Sequence, residues 1–165
     1  MILKRPSVSA PEPITLANPQ FEQRVILSSA VLLRLHCHRQ LHFWSREAGG
    51  QLFGTMSATA VEIVKCTGPY SGDRRTRYSY RSDVKQAQAV IRREANAGLY
   101  YVGEWHTHPE PSPTASSMDV DAFIKTNRLS SARFEPLILL IQGTQLGAFG
   151  SAIYSVHSDN LLRWQ

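Results

Sequence analysis

The sequence predicts one α/β domain in which a mixed β-sheet is flanked by helices. Three observations lead there. The chain has 165 residues, 42% hydrophobic and 19% charged, the size and balance of a single domain with its own core. Short runs rich in β-branched and aromatic residues alternate with segments whose apolar residues recur at helical spacing. The apolar run Leu137-Ile138-Leu139-Leu140-Ile141 is short, as a buried strand should be. The same composition excludes a coiled coil, a collagen-like fibre and a disordered tail.

Residues 1–20 carry Pro6, Pro11, Pro13 and Pro19 and read as an extended arm or flexible leader, since proline fixes φ and removes a donor. The domain is expected over 21–165. Its first strand lies near Gln23-Arg24-Val25-Ile26-Leu27, followed by a helix capped by Ser28 or Ser29 and running to about Arg39, with Val31, Leu32 and Leu35 on one face. Gly49-Gly50 punctuates the chain before two strands, Gln51–Thr55 and Val61–Lys65. The segment from Gly68 to Asp73 is a long turn by its composition. A strand at Thr76–Tyr80 and a helix from about Ser82 to Asn96 follow, ended by Gly98. Leu99 to His106 is aromatic and β-rich, and Pro109, Pro111 and Pro113 force a loop after it. A helix over 116–128, the strand at Leu137–Ile141, a turn at Gln142-Gly143-Thr144 and a last strand from Gly147 to Val156 complete the order β-α-β-β-β-α-β-α-β-β.

Lys and Arg number 18 against 13 acidic residues, a net charge of +5. That surplus is a solubility setting, and no basic run alternates with exposed aromatics as a single-strand-binding surface requires. Nucleic acid is not the expected partner, nor is a membrane, because no apolar run approaches the roughly 20 residues that span one. With no secretory signal and no cysteine framework, the chain is expected to be soluble and cytoplasmic. Cys37 and Cys66 are expected as buried small hydrophobes.

The stretch that carries chemistry is Glu104-Trp105-His106-Thr107-His108-Pro109, then a proline-rich loop and Ser116-Ser117-Met118-Asp119. On an extended backbone His106 and His108 project to one face, and the loop can return Asp119 as a third ligand. Three N/O ligands with an open fourth position fit a catalytic zinc, which lowers the pKa of its water to about 7. A general base must still move the proton. Glu47 is a candidate that the pattern alone does not single out. Plainer readings stand beside these: two solvated histidines, a Ser116–Asp119 helix cap, and Glu104 as a surface strand residue.

Glu47…His106-x-His108, then seven residues and Ser116-x-x-Asp119, resembles the JAMM motif of the JAB/MPN metallopeptidases. The segment Glu47-Ala48-Gly49-Gly50-Gln51-Leu52-Phe53-Gly54 is similar to the one bearing that family's catalytic glutamate. The resemblance spans about residues 23–155. It implies a JAB/MPN-type, cytidine-deaminase-like domain with one zinc per chain on His106, His108 and Asp119. It further implies Glu47 as general base and then acid toward the leaving amine, and Ser116 as a donor to the tetrahedral oxyanion. Such enzymes cut isopeptide or peptide bonds after the C-terminus of a conjugated protein, so the partner implied is a protein conjugate. Length and local sequence resemble most the small JAB peptidases of CBASS antiphage operons, which release a conjugated cGAS-like nucleotidyltransferase through its C-terminal tail. A deubiquitinase-like peptidase of a bacterial ubiquitin-like conjugation operon, an enzyme processing sulfur-carrier proteins, and a non-catalytic MPN scaffold are the alternatives.

Two further clusters stand out. Arg74, Arg75 and Arg77 are either a solvated loop or a contact for a substrate's extended tail, since guanidinium forks bind carbonyl and carboxylate oxygens. His36, His38 and His42 would put His38 and His42 on one helix face, but no further ligand follows, and they are read as helix surface and core.

Overall fold

The computed structural model describes residues 10–130 and 136–165. The elements are β1 (Ile14–Leu16), β2 (Arg24–Leu27), α1 (Ser29–Cys37), β3 (Gly49–Met56), β4 (Ala60–Cys66), the two-residue strands β5 (Arg74–Arg75) and β6 (Tyr80–Arg81), α2 (Val84–Asn96), β7 (Tyr100–Thr107), α3 (Ser117–Leu129), β8 (Ile138–Gln142), β9 (Ser151–His157) and β10 (Asn160–Arg163). Eight of the strands form one mixed sheet, ordered β1-β2-β4-β3-β7-β8-β9-β10, while β5 and β6 pair separately. The β2–β4 and β7–β8 pairs are parallel and the remainder antiparallel. Beyond the two edge strands, Ala17 and Gln165 exchange two backbone hydrogen bonds of 2.8 and 3.0 Å. The sheet is therefore curled until its edges touch, which relieves the exposed-edge problem of an open sheet.

Helix α1 lies against the inside of that curl. Ser28 caps it, its hydroxyl accepting from the Val31 amide, and the helical spacing of Val31, Leu32 and Leu35 points all three inward. They pack with Leu27, Leu52, Ile63, Trp105, Ile138, Leu140 and Ile153. On the opposite face Phe123 of α3 joins Leu137, Leu139, Ile141, Ala152 and Tyr154. Strand β8 feeds alternate residues to both cores, which is why its sequence is continuously apolar rather than alternating. Each large side chain so buried contributes about 1.5–3 kcal/mol. Gly103 permits the close approach of β7 to β8: its φ is +152°, and a Cβ there would lie 1.9 Å from the Ile138 carbonyl oxygen. The sheet register shifts beside it, between Leu52 and Phe53.

The structure bears out the α/β class and corrects several elements. Residues 1–9 of the expected leader lie outside the described residues, and Ile14–Leu16 within it pairs with β2. Ordered structure thus starts before residue 21, because Ile14 and Leu16 find an apolar partner surface that three residues alone do not announce. Gly49 and Gly50 do not break the chain but open β3. Of the strand expected at Thr76–Tyr80, only Tyr80 is strand, as the start of β6; residues 76–79 turn between β5 and β6, with the Thr76 amide donating to the Ser79 carbonyl. The last strand begins at Ser151 after a single 3-10 turn, and β10 follows it. Helix α1 stops at Cys37, so His42 does not share a helix face with His38. Cys37 is exposed, while Cys66 is buried as expected and its thiol is pushed up to about 12 by burial. Among the described residues no helix is long and apolar enough to cross a membrane.

Candidate active site

Strand β7 carries His106 at its end, and His108 follows directly, its backbone amide donating to the Gln142 carbonyl at 2.9 Å. The proline-rich loop then returns the chain to the start of α3. There Ser116 and Asp119 form a reciprocal capping box: the Asp119 amide donates to the Ser116 hydroxyl, and the Ser116 amide donates to Asp119 Oδ2 at 2.7 Å. The Ser116 hydroxyl itself donates to the same Oδ2 at 2.7 Å. The cap thereby fixes the Asp119 carboxylate in one orientation, with both oxygens turned toward the histidines.

Three ligand-type groups converge. His106 Nε2 and His108 Nε2 lie 3.1 Å apart, His106 Nε2 lies 3.2 Å from Asp119 Oδ1, and His108 Nε2 lies 3.3 Å from Asp119 Oδ2. A tetrahedral zinc ion with bonds of about 2.0–2.1 Å spaces its ligand atoms about 3.3 Å apart. Donor type and spacing both fit that ion. Burial alone would raise the Asp119 carboxyl, but hydrogen bonds from His106 and His108 hold it well below the usual carboxylate range. His108 moves the other way: burial works against its charged form, and the Asp119 carboxylate raises it.

Glu47 stands immediately before β3, whose Gly49 pairs with His106. Its backbone is tied on both sides. The Glu47 amide donates to the Thr76 carbonyl at 2.7 Å, and Arg75 Nε donates to the Glu47 carbonyl. The side chain is 5% exposed. Burial pushes its carboxyl up to about 7, opposed by the charge of His108 and reinforced by those of Asp119 and Glu110. A carboxyl poised near neutrality beside a cluster of N/O ligands is equipped to accept and return a proton.

A model of the prokaryotic homologues of the JAB domain matches residues 28–156. The chain belongs to the prokaryotic JAB family. Among curated relatives, a protein of Escherichia coli strain TW11681 is 33% identical over 126 residues, covering 74% of this chain and 78% of the relative. One from Vibrio cholerae El Tor is 34% identical, covering 72% and 76%. Another, from Enterobacter hormaechei, is 26% identical but spans 99% of this chain and 92% of its own. All three carry the name CD-NTase/cGAS isopeptidase. A solution structure of a Desulfitobacterium hafniense protein superimposes with a TM-score of 0.59 at 18% identity, covering 83% and 87% of the two chains, and so shares the fold.

Within this JAB domain the structure also sorts the residues that remained open. Arg75 and Arg77 are not a freely solvated pair: Arg75 holds the Glu47 carbonyl, and Arg77 donates to the His42 carbonyl at 2.8 Å and lies over the Tyr78 ring. Glu104 is half-buried beside Tyr101 rather than at the surface, and burial raises its carboxyl. Sequence reasoning missed Gln40 and Thr107. Thr107 sits between the two histidines and its position was a signal; Gln40 offered none.

Proposed function

We propose that this chain is a zinc-dependent isopeptidase of the JAMM type, releasing a conjugated cGAS-like nucleotidyltransferase from its target in CBASS antiphage defence. The observation that carries the chemistry is the convergence of His106, His108 and Asp119 at ligand spacing beside the buried Glu47. The names of the relatives carry the substrate class. His106, His108 and Asp119 hold the ion, which when bound supplies Lewis-acid activation of water and of the scissile carbonyl. Glu47 takes the proton of the attacking water and returns it to the departing lysine amine, a transfer its near-neutral pKa suits. Ser116 orients Asp119 through the cap, and it serves the developing oxyanion by turning its one hydroxyl proton from Asp119 to the substrate oxygen. The substrate's C-terminal tail is the segment that must reach this site in extended form.

The test is cleavage of a nucleotidyltransferase conjugate made with a CBASS-type ligase, followed with zinc content on identical preparations. The wild type is expected to release free nucleotidyltransferase and to hold about one zinc per chain, with activity removed by a chelator and restored by zinc. His106→Ala is expected to lose the metal. Glu47→Gln is expected to keep the metal and lose turnover by about 10³-fold. A wild type that leaves every conjugate intact while fully zinc-loaded would refute the peptidase reading.

A further inference from the structure

Thr107 lies between the two histidines but points to the other side of the strand, where it is wholly buried. Its hydroxyl accepts a hydrogen bond from the Ala48 amide at 2.9 Å and donates to Gln40 Oε1 at 3.0 Å. The Thr107 amide in turn donates to the Ala48 carbonyl at 2.8 Å. Gln40, 3% exposed, spends its amide nitrogen on the Arg77 carbonyl at 2.9 Å and the Ser45 carbonyl at 3.3 Å. One buried chain of hydrogen bonds therefore runs from the strand bearing the histidines, through Thr107 and Gln40, to both segments that flank Glu47. Those segments are the 45–48 arm, reached at Ser45 and Ala48, and the β5–β6 turn, reached at Arg77.

These contacts join what the backbone leaves apart. Ala48 and Thr107 are 59 residues apart in the sequence, and regular pairing of β3 with β7 starts at Gly49. Glu47 thus stands just beyond the ladder, where a carboxylate would swing if only its own strand held it. A buried, fully paired network of this kind fixes one arrangement, because every alternative strands a buried donor or acceptor. We infer that Thr107 and Gln40 are positioning residues, which set the Glu47 carboxylate relative to the histidine pair without touching substrate or metal. The inference rests on the peptidase reading for its catalytic consequence, but the structural link it names does not.

The experiment compares wild type, Thr107→Val, Thr107→Ser and Gln40→Met as full chains. It reads kcat and KM on the nucleotidyltransferase conjugate, zinc content, thermal midpoint, and hydrogen exchange at the Ala48 amide. Valine matches threonine in shape but removes the hydroxyl. A misplacement of the order of an ångström is expected to lower kcat by about 10²-fold, with KM and zinc content retained and the Ala48 amide exchanging faster. Thr107→Ser restores the hydroxyl and is expected to restore both kcat and protection. Gln40→Met is expected to lower kcat without removing the Ala48 bond, and it carries the test should Thr107→Val fail to fold. Wild-type kcat in the folded variants would overturn the inference, as would loss of zinc in step with activity. A wild type that cleaves nothing defeats the peptidase reading instead. In that case unchanged Ala48 exchange in Thr107→Val would still overturn the link.

Discussion

The two sides of the site are held by different means. His106, His108 and Asp119 are set by local devices: the two-residue repeat of a strand and a capping box that opens the next helix. Glu47 is held from afar, by Arg75 of β5 and Thr76 of the β5–β6 turn on its own backbone and by Thr107 of β7 on its neighbour Ala48. The ligand side takes its orienting groups from its own 106–119 segment, while distant backbone such as the Gln142 carbonyl supports its loop. The glutamate side has no local device at all, and its precision is that of the assembled domain. A damaged ligand side should therefore change metal affinity first, and a damaged glutamate side should change turnover while the metal stays.

The largest effect expected on the fold itself comes from Gly50 of β3, three residues beyond Glu47. A Cβ there would lie 1.9 Å from the Thr67 carbonyl oxygen, a backbone contact that cannot rotate away. Gly50→Ala is expected to cost about 3 kcal/mol, lowering the melting temperature by roughly 10 °C for a chain of this size. A calorimetric scan within a degree of wild type would show that the glutamate side tolerates more than its contacts suggest. On the ligand side, Ser116→Ala removes both the acceptor for the Asp119 amide and the donor to its carboxylate. The expected result is a zinc affinity weaker by about 10-fold or more with a stability loss of only about 1 kcal/mol. A competition titration against a chromogenic chelator reads the first, and unchanged affinity would mean that Asp119 orients without its cap.

The smallest effect is a control away from both sides. Lys65 reaches across to the buried Glu94 of α2, 2.9 Å away, and Arg93 lies 2.6 Å from the same carboxylate. Hydrogen bonds from Lys65 and Arg93 hold the Glu94 carboxyl below its ordinary value. A depressed carboxyl contributes stability above the unfolded-state value of about 4.3, lost as the pH falls through the folded-state value. Both cations are exposed, so Lys65→Met is expected to cost only about 1 kcal/mol at neutral pH. Melting curves should show that difference close below about pH 4. Zinc content and turnover should not change. If they did, loss of stability alone would move the site, and the contrast between its two sides would lose its meaning.

The elements legible without a structure are those whose signals are short-range. The helical stripe of Val31, Leu32 and Leu35, the continuous apolar run of β8, the capping box at Ser116 and Asp119, and the two histidines on one strand are all written within a few residues of one another. Spacing alone therefore offered His106, His108 and Asp119 as candidate ligands beside plainer readings, and the resemblance to a known motif reached Glu47. What only the tertiary structure decided is everything built from distant partners. The edge strands β1 and β10 exist because a curled sheet brings Ala17 to Gln165. The turn at 76–79 is no strand because the β5–β6 pair closes over the Glu47 arm. Gln40 became part of the site only when Thr107 and Arg77 met it. A buried amide can choose its partners from anywhere in a chain, and no local pattern records which ones the fold will supply.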